Sequence, residues 1–394
     1  MSLGRASGAA REAGGGTAKP DPRWPRDGDD IQRIAVFRAL VLGDMLCATP
    51  ALRALRAAYP AAHITLIGLP WAQALVQRLA CVDQLLCFPG HPGMPETAAD
   101  MAAFPSFLAE TQAQGFDLVL QMHGSGGITN PLVAMLGGRH CAGFYQPGHY
   151  CPDPQLFTPW PEHCHEIERC LALTDSLGLP RQGLQLEFPI GPVDRLALQA
   201  LWPGQSAPYV IVHPGSQLPS RRWPVERFAQ VADALARQGL QVAITGTAAE
   251  AGMAAALRSL CPSPVVDLVG RTDLWTLGAL VEGARLLVSN DTGISHIAAA
   301  LGTPSVVVSL GSDVQRWAPL DKERHRVLWH ALPCRPCGHA ICPTAHECAT
   351  AISTGQVLDA AHELLQRRYS TPWPNHSGAC ASSPGMCTAT TSTT

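Results

Sequence analysis

At 394 residues, 46% hydrophobic and 15% charged, the chain exceeds what one hydrophobic core usually serves, so two domains of ordinary size are expected. A formal net charge of −3 with no long basic run argues against a binder of nucleic acid or anionic membrane, and any anion recognised is a small one. No stretch reaches about 18 consecutive apolar residues and the start lacks a signal-peptide layout, so the expected location is cytoplasmic, with peripheral association at the inner face of the cytoplasmic membrane left open.

Residues 1–28, rich in Gly, Ala, Arg and Asp without any period, read as a disordered leader. The first domain is expected over 29–190. Its opening strand, 33–37, alternates and is β-branched; Arg38 to Asp44 forms a glycine-containing loop into a helix over 45–59 that ends before Pro60, and 63–68 is a second buried strand. That unit starts a parallel doubly wound sheet. A helical stretch at 71–79, a strand at 84–88 and a Pro/Gly loop at 89–95 follow. The pattern predicts a helix over 98–114 that Pro105 should kink or divide. A strand at 117–121 runs into the flexible loop Met122-His123-Gly124-Ser125-Gly126-Gly127; residues 143–160 read as loop and 163–177 as a helix. Prolines surround a short helix at 193–201, and 191–208 is the expected linker.

The second domain, 209–352, repeats the plan with about five strands, at 209–212, 241–245, 265–268, 286–288 and 305–310, and helices at 225–238, 251–260, 274–283 and 294–301. A last helix is expected over 353–368 and a disordered tail, rich in Ser, Thr, Pro and Gly, over 369–394. The expected fold is therefore α/β: two facing Rossmann-like doubly wound parallel-sheet domains with an interdomain cleft.

Three loops of the second domain should gather along one sheet edge. In the first, 286–288 delivers the polar turn Ser289-Asn290-Asp291-Thr292-Gly293 onto a helix N-terminus, with His296 one turn in. Free N–H groups and the helix dipole can hold an anion there, with Asp291 or Thr292 as helix cap; a plain capped connection with a stray histidine fits the same residues. The loop 213–222 adds a Pro-Gly turn, Ser216, Arg221 and Arg222, and the loop 245–250 adds a Gly turn and Glu250, a carboxylate able to accept from a ribose hydroxyl. Together these are the parts of a nucleoside diphosphate site. On the first domain, Asp44 starts a helix, which should hold it ionised; a simple N-cap is the competing reading. His123 on its loop and Arg38 after the first strand are acceptor-side candidates, or an ordinary loop histidine and a surface ion pair.

The chain resembles the heptosyltransferase family of inverting glycosyltransferases from about Ile34 to Leu365. The resemblance is carried by Leu42-Gly43-Asp44 with Pro50-Ala51-Leu52-Arg53, by His213-Pro214-Gly215 with Arg221-Arg222-Trp223-Pro224, and by Ser289-Asn290-Asp291-Thr292-Gly293 with His296 and Ala298-Ala299-Ala300-Leu301-Gly302-Thr303-Pro304. It implies a two-Rossmann-domain (GT-B) fold, ADP-heptose as donor and a hydroxyl of a lipopolysaccharide core or related glycan as acceptor, with no metal required for catalysis. It further implies Asp44 as catalytic base, and Asp291, Thr292, Gly293 and His296 around the donor diphosphate and sugar. Arg221 stands where the family usually has lysine, Glu250 where it has a ribose-binding acid, and Thr272 where a residue lines the adenine pocket. A GT-B nucleotide-sugar epimerase or hydrolase and a non-catalytic nucleotide-sugar-binding protein are the alternatives.

Of the 14 cysteines, those scattered through the chain read as reduced and mostly buried. Cys334, Cys337, Cys342 and Cys348, with His339 and His346 interleaved, have a spacing compatible with one structural zinc or iron, or with a reduced or partly disulfide-bonded loop.

Overall fold

The computed structural model describes residues 30–205 and 207–367; the expected leader and tail lie outside the described residues. Two six-stranded, all-parallel sheets account for the described strands. The first contains β1 (Arg33–Phe37), β2 (His63–Gly68), β3 (Gln84–Cys87), β4 (Leu118–Gln121), β5 (His140–Tyr145) and β6 (Phe157–Pro159), in the order β3-β2-β1-β4-β5-β6. The second contains β7 (Tyr209–His213), β8 (Gln241–Ile244), β9 (Val266–Asp267), β10 (Leu286–Asn290), β11 (Ser305–Val308) and β12 (His325–Leu328), in the order β12-β11-β10-β7-β8-β9. Each sheet is thus doubly wound, with the strand order reversing between β1 and β4 and between β7 and β10. Central strands such as β4 and β10 are buried at every position, as expected where helices cover both faces.

Several local expectations change. The helix expected over 98–114 begins only at Phe104, in Phe104–Ala113, and Pro105 sits in its first turn. There the missing N–H has no partner to lose, so proline starts the helix instead of dividing it. Pro50 lies well inside the helix Leu42–Ala58. It deprives the Leu46 carbonyl of its usual donor, and the Thr49 hydroxyl replaces it at 2.7 Å. Strands β5 and β6 run through the stretch expected to be loop, and β12 brings the second sheet to six strands. These outer strands are short or poor in β-branched residues, and they are recruited by pairing: β5 with β4, β6 with β5 and β12 with β11.

The helix Pro192–Leu201, in the expected linker, packs on Leu274–Gly283 of the second half, and the final helix, Thr354–Gln366, packs across Val225–Ala236 and β10 to β12. One hydrophobic cluster runs from Val36 and Leu46 of the first half to Leu287 and Ile297 of the second. Among the described residues no helix is long and apolar enough to cross a membrane.

Candidate active site

Ligands of open parallel sheets collect beyond the carboxyl ends of the strands, where the strand order reverses. In the first sheet that crevice holds the residues after β1, Arg38 to Asp44, and those after β4, Met122 and His123. In the second it holds the loops after β7 and β10. The two crevices meet. A cavity of about 330 Å³ is lined by Gly43 and Asp44 from the first half and by Ser216, Arg221, Asp291, Thr292, Gly293 and His296 from the second, together with Ser312, Arg316 and Trp317.

Two helix N-termini converge there. Neither Leu42–Ala58 nor Gly293–Leu301 has a side-chain hydrogen bond at its N-cap, Val41 and Thr292 respectively. The Ser295 N–H donates back to the Thr292 carbonyl at 2.9 Å, while no side chain takes the amides of Gly43 and Gly293, which are left for an anion. Close approach depends on glycine: a Cβ on Gly43 would stand 2.7 Å from His296 Cδ2, and one on Gly293 would stand 3.3 Å from Leu42 Cδ2. The expected cap is absent because Asp291 turns away from the helix. Its carboxylate accepts from the Ser309 hydroxyl at 3.3 Å and from the Ser312 hydroxyl. Arg221 also lines the cavity; its Nη2 donates to the Cys337 carbonyl at 3.4 Å, and its Nε is buried without a hydrogen-bond partner.

Asp44 occupies the first turn of its helix, and the expectation that the helix would keep its pKa low is overturned. Burial pushes the carboxyl above its ordinary value, against the opposing pull of Arg38. His296 is lowered, again by burial, against the attraction of Asp291 and Asp44; it is neutral at neutral pH. Its Nδ1 lies 3.7 Å from the Cys47 sulfur.

Arg38 is not at the surface. It is 2% exposed, and its guanidinium donates to the Asp44 carbonyl from Nε at 3.1 Å and Nη2 at 2.8 Å, to the Met122 carbonyl at 2.5 Å and to Glu166 at 3.0 Å. With its donors so committed it holds the Asp44 loop and meets no acceptor. His123 is likewise buried: its Nδ1 accepts from the Ala39 N–H at 3.1 Å, which places the ring proton on Nε2, 3.5 Å from Glu96. It braces the same loop. Burial works against ionisation of Glu96, but the His123 contact brings its pKa below the usual carboxylate value.

Glu250 and Thr272 do not line the cavity with Asp44. Glu250 Oε2 accepts from the Thr247 N–H at 2.7 Å and its hydroxyl at 3.0 Å, and the carboxylate lies against Gly215 so closely that a side chain there has no room. Thr272 sits half-buried between β9 and the helix Leu274–Gly283. Sequence reasoning missed Ser312, Arg316 and Trp317. Their position, just after β11 on the loop-bearing edge, is the signal that would have pointed to them.

The four cysteines Cys334, Cys337, Cys342 and Cys348 line one small cavity of about 60 Å³ with His339 and His346. All four are free thiols, and among the described residues no group of three or more His, Cys, Asp or Glu side chains is arranged to hold a metal. A zinc or iron, one of the two readings the spacing allowed, does not fit the side chains as they stand. What the segment does is tie two loops together. Arg335 donates to the Ser309 carbonyl at 2.9 Å and hydroxyl at 2.7 Å, and the Cys337 N–H to Gly311 at 2.7 Å. Ser220 donates to the carbonyls of Ala340 at 3.0 Å and His339 at 2.6 Å.

Residues 106–347 match the sequence profile of glycosyltransferase family 9 (heptosyltransferase). The chain belongs to this family. It is 25% identical over 299 residues to lipooligosaccharide heptosyltransferase 2 of Haemophilus ducreyi, covering 71% of this chain and 82% of that protein. In fold, this family 9 chain is similar to the glycosyl transferase family 9 structure from Veillonella parvula, with a TM-score of 0.72 and 24% identity over 86% of this chain and 98% of that one. It is also similar to the E. coli ADP-heptose lps heptosyltransferase II structure, with a TM-score of 0.66 and 21% identity over 85% and 98%. Its two facing sheets are the GT-B arrangement of those enzymes. A weaker likeness, with a TM-score of 0.51 and 15% identity over 85% and 76%, links it to the iron-containing dodecameric glycosyltransferase TibC of enterotoxigenic E. coli.

Proposed function

We propose that this family 9 chain is an inverting glycosyltransferase that moves heptose from ADP-heptose to a hydroxyl of a lipopolysaccharide core or related glycan. The observation that carries this reading is the cavity lined together by Asp44, by Arg221 and by the uncapped first turns of Leu42–Ala58 and Gly293–Leu301. The names of its relatives support heptose and the lipopolysaccharide core.

In this scheme the acceptor hydroxyl gives its proton to the Asp44 carboxylate while its oxygen forms a bond to the anomeric carbon. The bond from that carbon to the diphosphate oxygen breaks, and the electron pair leaves with the nucleoside diphosphate. Attack from the face opposite the leaving group inverts the centre. Arg221 and the amides at Thr292 and Gly293 stabilise the growing negative charge, so the scheme calls on no metal ion. Neutral His296, packed on Gly43, closes the sugar side. Glu250, whose Oε1 has no hydrogen bond among the described residues, would take a ribose hydroxyl, and the backbone at Thr272 would border the base.

The test is a thermal-shift screen of ADP-, UDP-, GDP- and dTDP-sugars, because a ligand of the native state raises the melting temperature by mass action. Stabilisation by ADP-heptose is the expected outcome. Stabilisation by a UDP-sugar with none by ADP-heptose would overturn the donor assignment, and consumption of ADP-heptose without any acceptor would favour a hydrolase or epimerase.

A further inference from the structure

Glu166 begins the helix Glu166–Ser176 and is 2% exposed. Arg38 donates to its Oε1 at 3.0 Å and Arg169 to its Oε2. These two buried cations, both from the first half of the chain, already compensate one carboxylate. A third arrives from the second half: Arg316 Nε donates to Oε2 at 2.9 Å. Burial opposes ionisation of Glu166, yet Arg38, Arg316 and Arg169 together hold its pKa at about 2.

Arg316 lies in the short helix Val314–Trp317 after β11 and lines the same cavity as Asp44, Arg221 and Asp291. Its side chain is 33% exposed. Two contacts orient the guanidinium: Glu166 holds the Nε, and the Trp317 indole lies under its plane at 4.4 Å. Among the described residues its two Nη groups have no hydrogen-bond partner. A guanidinium offers five N–H donors in a rigid fork. With Nε committed, the Nη edge remains for a ligand in the cavity.

We propose that Arg316 is a second cation for the diphosphate of the donor, and that Glu166 is the residue that positions it. This rests on the donor-site reading above and adds a binding residue and a linkage to it. Because Glu166 belongs to one half of the chain and Arg316 to the other, the second cation is oriented only when the two halves are together. Diphosphate affinity and interdomain closure are thereby coupled. Glu166 stays paired with Arg38 and Arg169 whatever Arg316 does, so engaging the diphosphate leaves no bare buried charge. A purely structural latch has no need of a third arginine whose outer edge is left without partners.

The experiment is calorimetric binding of ADP and of AMP to the full chain as wild type, Arg316→Gln, Arg316→Lys and Glu166→Gln. Arg316→Gln should weaken ADP by about 10- to 100-fold, the range of a lost charge-assisted hydrogen bond, while AMP weakens less, so the ADP:AMP affinity ratio falls. Lysine restores charge without the fork, and should recover only part of the loss. Glu166→Gln should lower the same ratio; should that variant fail to fold, the two Arg316 variants decide, since their side chain is partly exposed. An unchanged ADP affinity and ratio in Arg316→Gln overturns the inference while leaving the donor site standing. A wild type that binds UDP in place of ADP moves the comparison to UDP and UMP with the same expectations. A wild type that binds no nucleoside diphosphate overturns the donor site and this inference together.

Discussion

Asp44 carries two demands that conflict. As a base it must be ionised near neutral pH, yet burial favours its neutral form, and Arg38 opposes burial only in part. The raised pKa gives a signed prediction. Activity should be present above the raised value and lost as pH falls through it, so the acid limb of kcat/KM should lie above the 3.8 of an ordinary aspartate. Asp44→Asn should lower kcat by about 10²- to 10⁴-fold, the usual worth of a positioned base. Because it also removes the cost of an ionised carboxylate in a dry site, the variant should melt no lower than wild type at neutral pH. A variant that lost stability and kept its rate would show Asp44 to be a helix residue and nothing more.

At the level of elements, the segment from Cys334 to Cys348 acts as a clasp. It joins the loop after β7 to the loop after β11 through Ser220, Ser309 and Gly311. The hydroxyls of Ser309 and Ser312 in turn hold Asp291. Arg335 holds this segment to the loop after β11 at the Ser309 and Leu310 carbonyls and the Ser309 hydroxyl, so Arg335→Ala should raise amide hydrogen exchange in residues 309–312, and through the same segment in 216–222, and leave β1 to β6 unchanged. It should also weaken nucleotide binding by about tenfold, since a mobile loop must be ordered at each binding event. Unaltered exchange in both loops would mean that the sheet edge alone holds them. The spacing of these cysteines allowed a metal or a reduced loop, because spacing records where ligands stand along the chain, while coordination needs their atoms to converge.

Across the whole molecule, the two doubly wound halves meet through helices, Leu42–Ala58 against Gly293–Leu301 among them, and Glu166 with Arg316 is a charged contact at the join. The depressed pKa of Glu166 means that its stabilisation is fully present above its unfolded value of 4.5 and is lost as pH falls toward about 2. Urea unfolding from pH 5 to pH 3 should therefore show the gap between wild type and Glu166→Gln narrowing as pH falls. A gap that stays constant would mean that the ionised carboxylate contributes nothing to holding the fold. Short-range signals made much of the architecture legible. Apolar runs marked most central strands, Gly302 and Pro304 marked the end of Gly293–Leu301, and the loops after β7 and β10 announced a site at one sheet edge, because strands, turns and helix ends are decided by residues a few positions apart. The outer strands β5, β6 and β12 were not legible, since pairing with a neighbour made them. Nor were the roles of Arg38, His123 and Glu166. Whether a charge faces solvent, braces a loop or orients another charge depends on desolvation and on partners such as Arg38 and Glu166, 128 residues apart. The strand-turn-helix at Asp291 to His296 was therefore readable as an anion site from its own residues, while its cavity, its second cation and the dry setting of Asp44 exist only where the two halves of the chain are folded against each other.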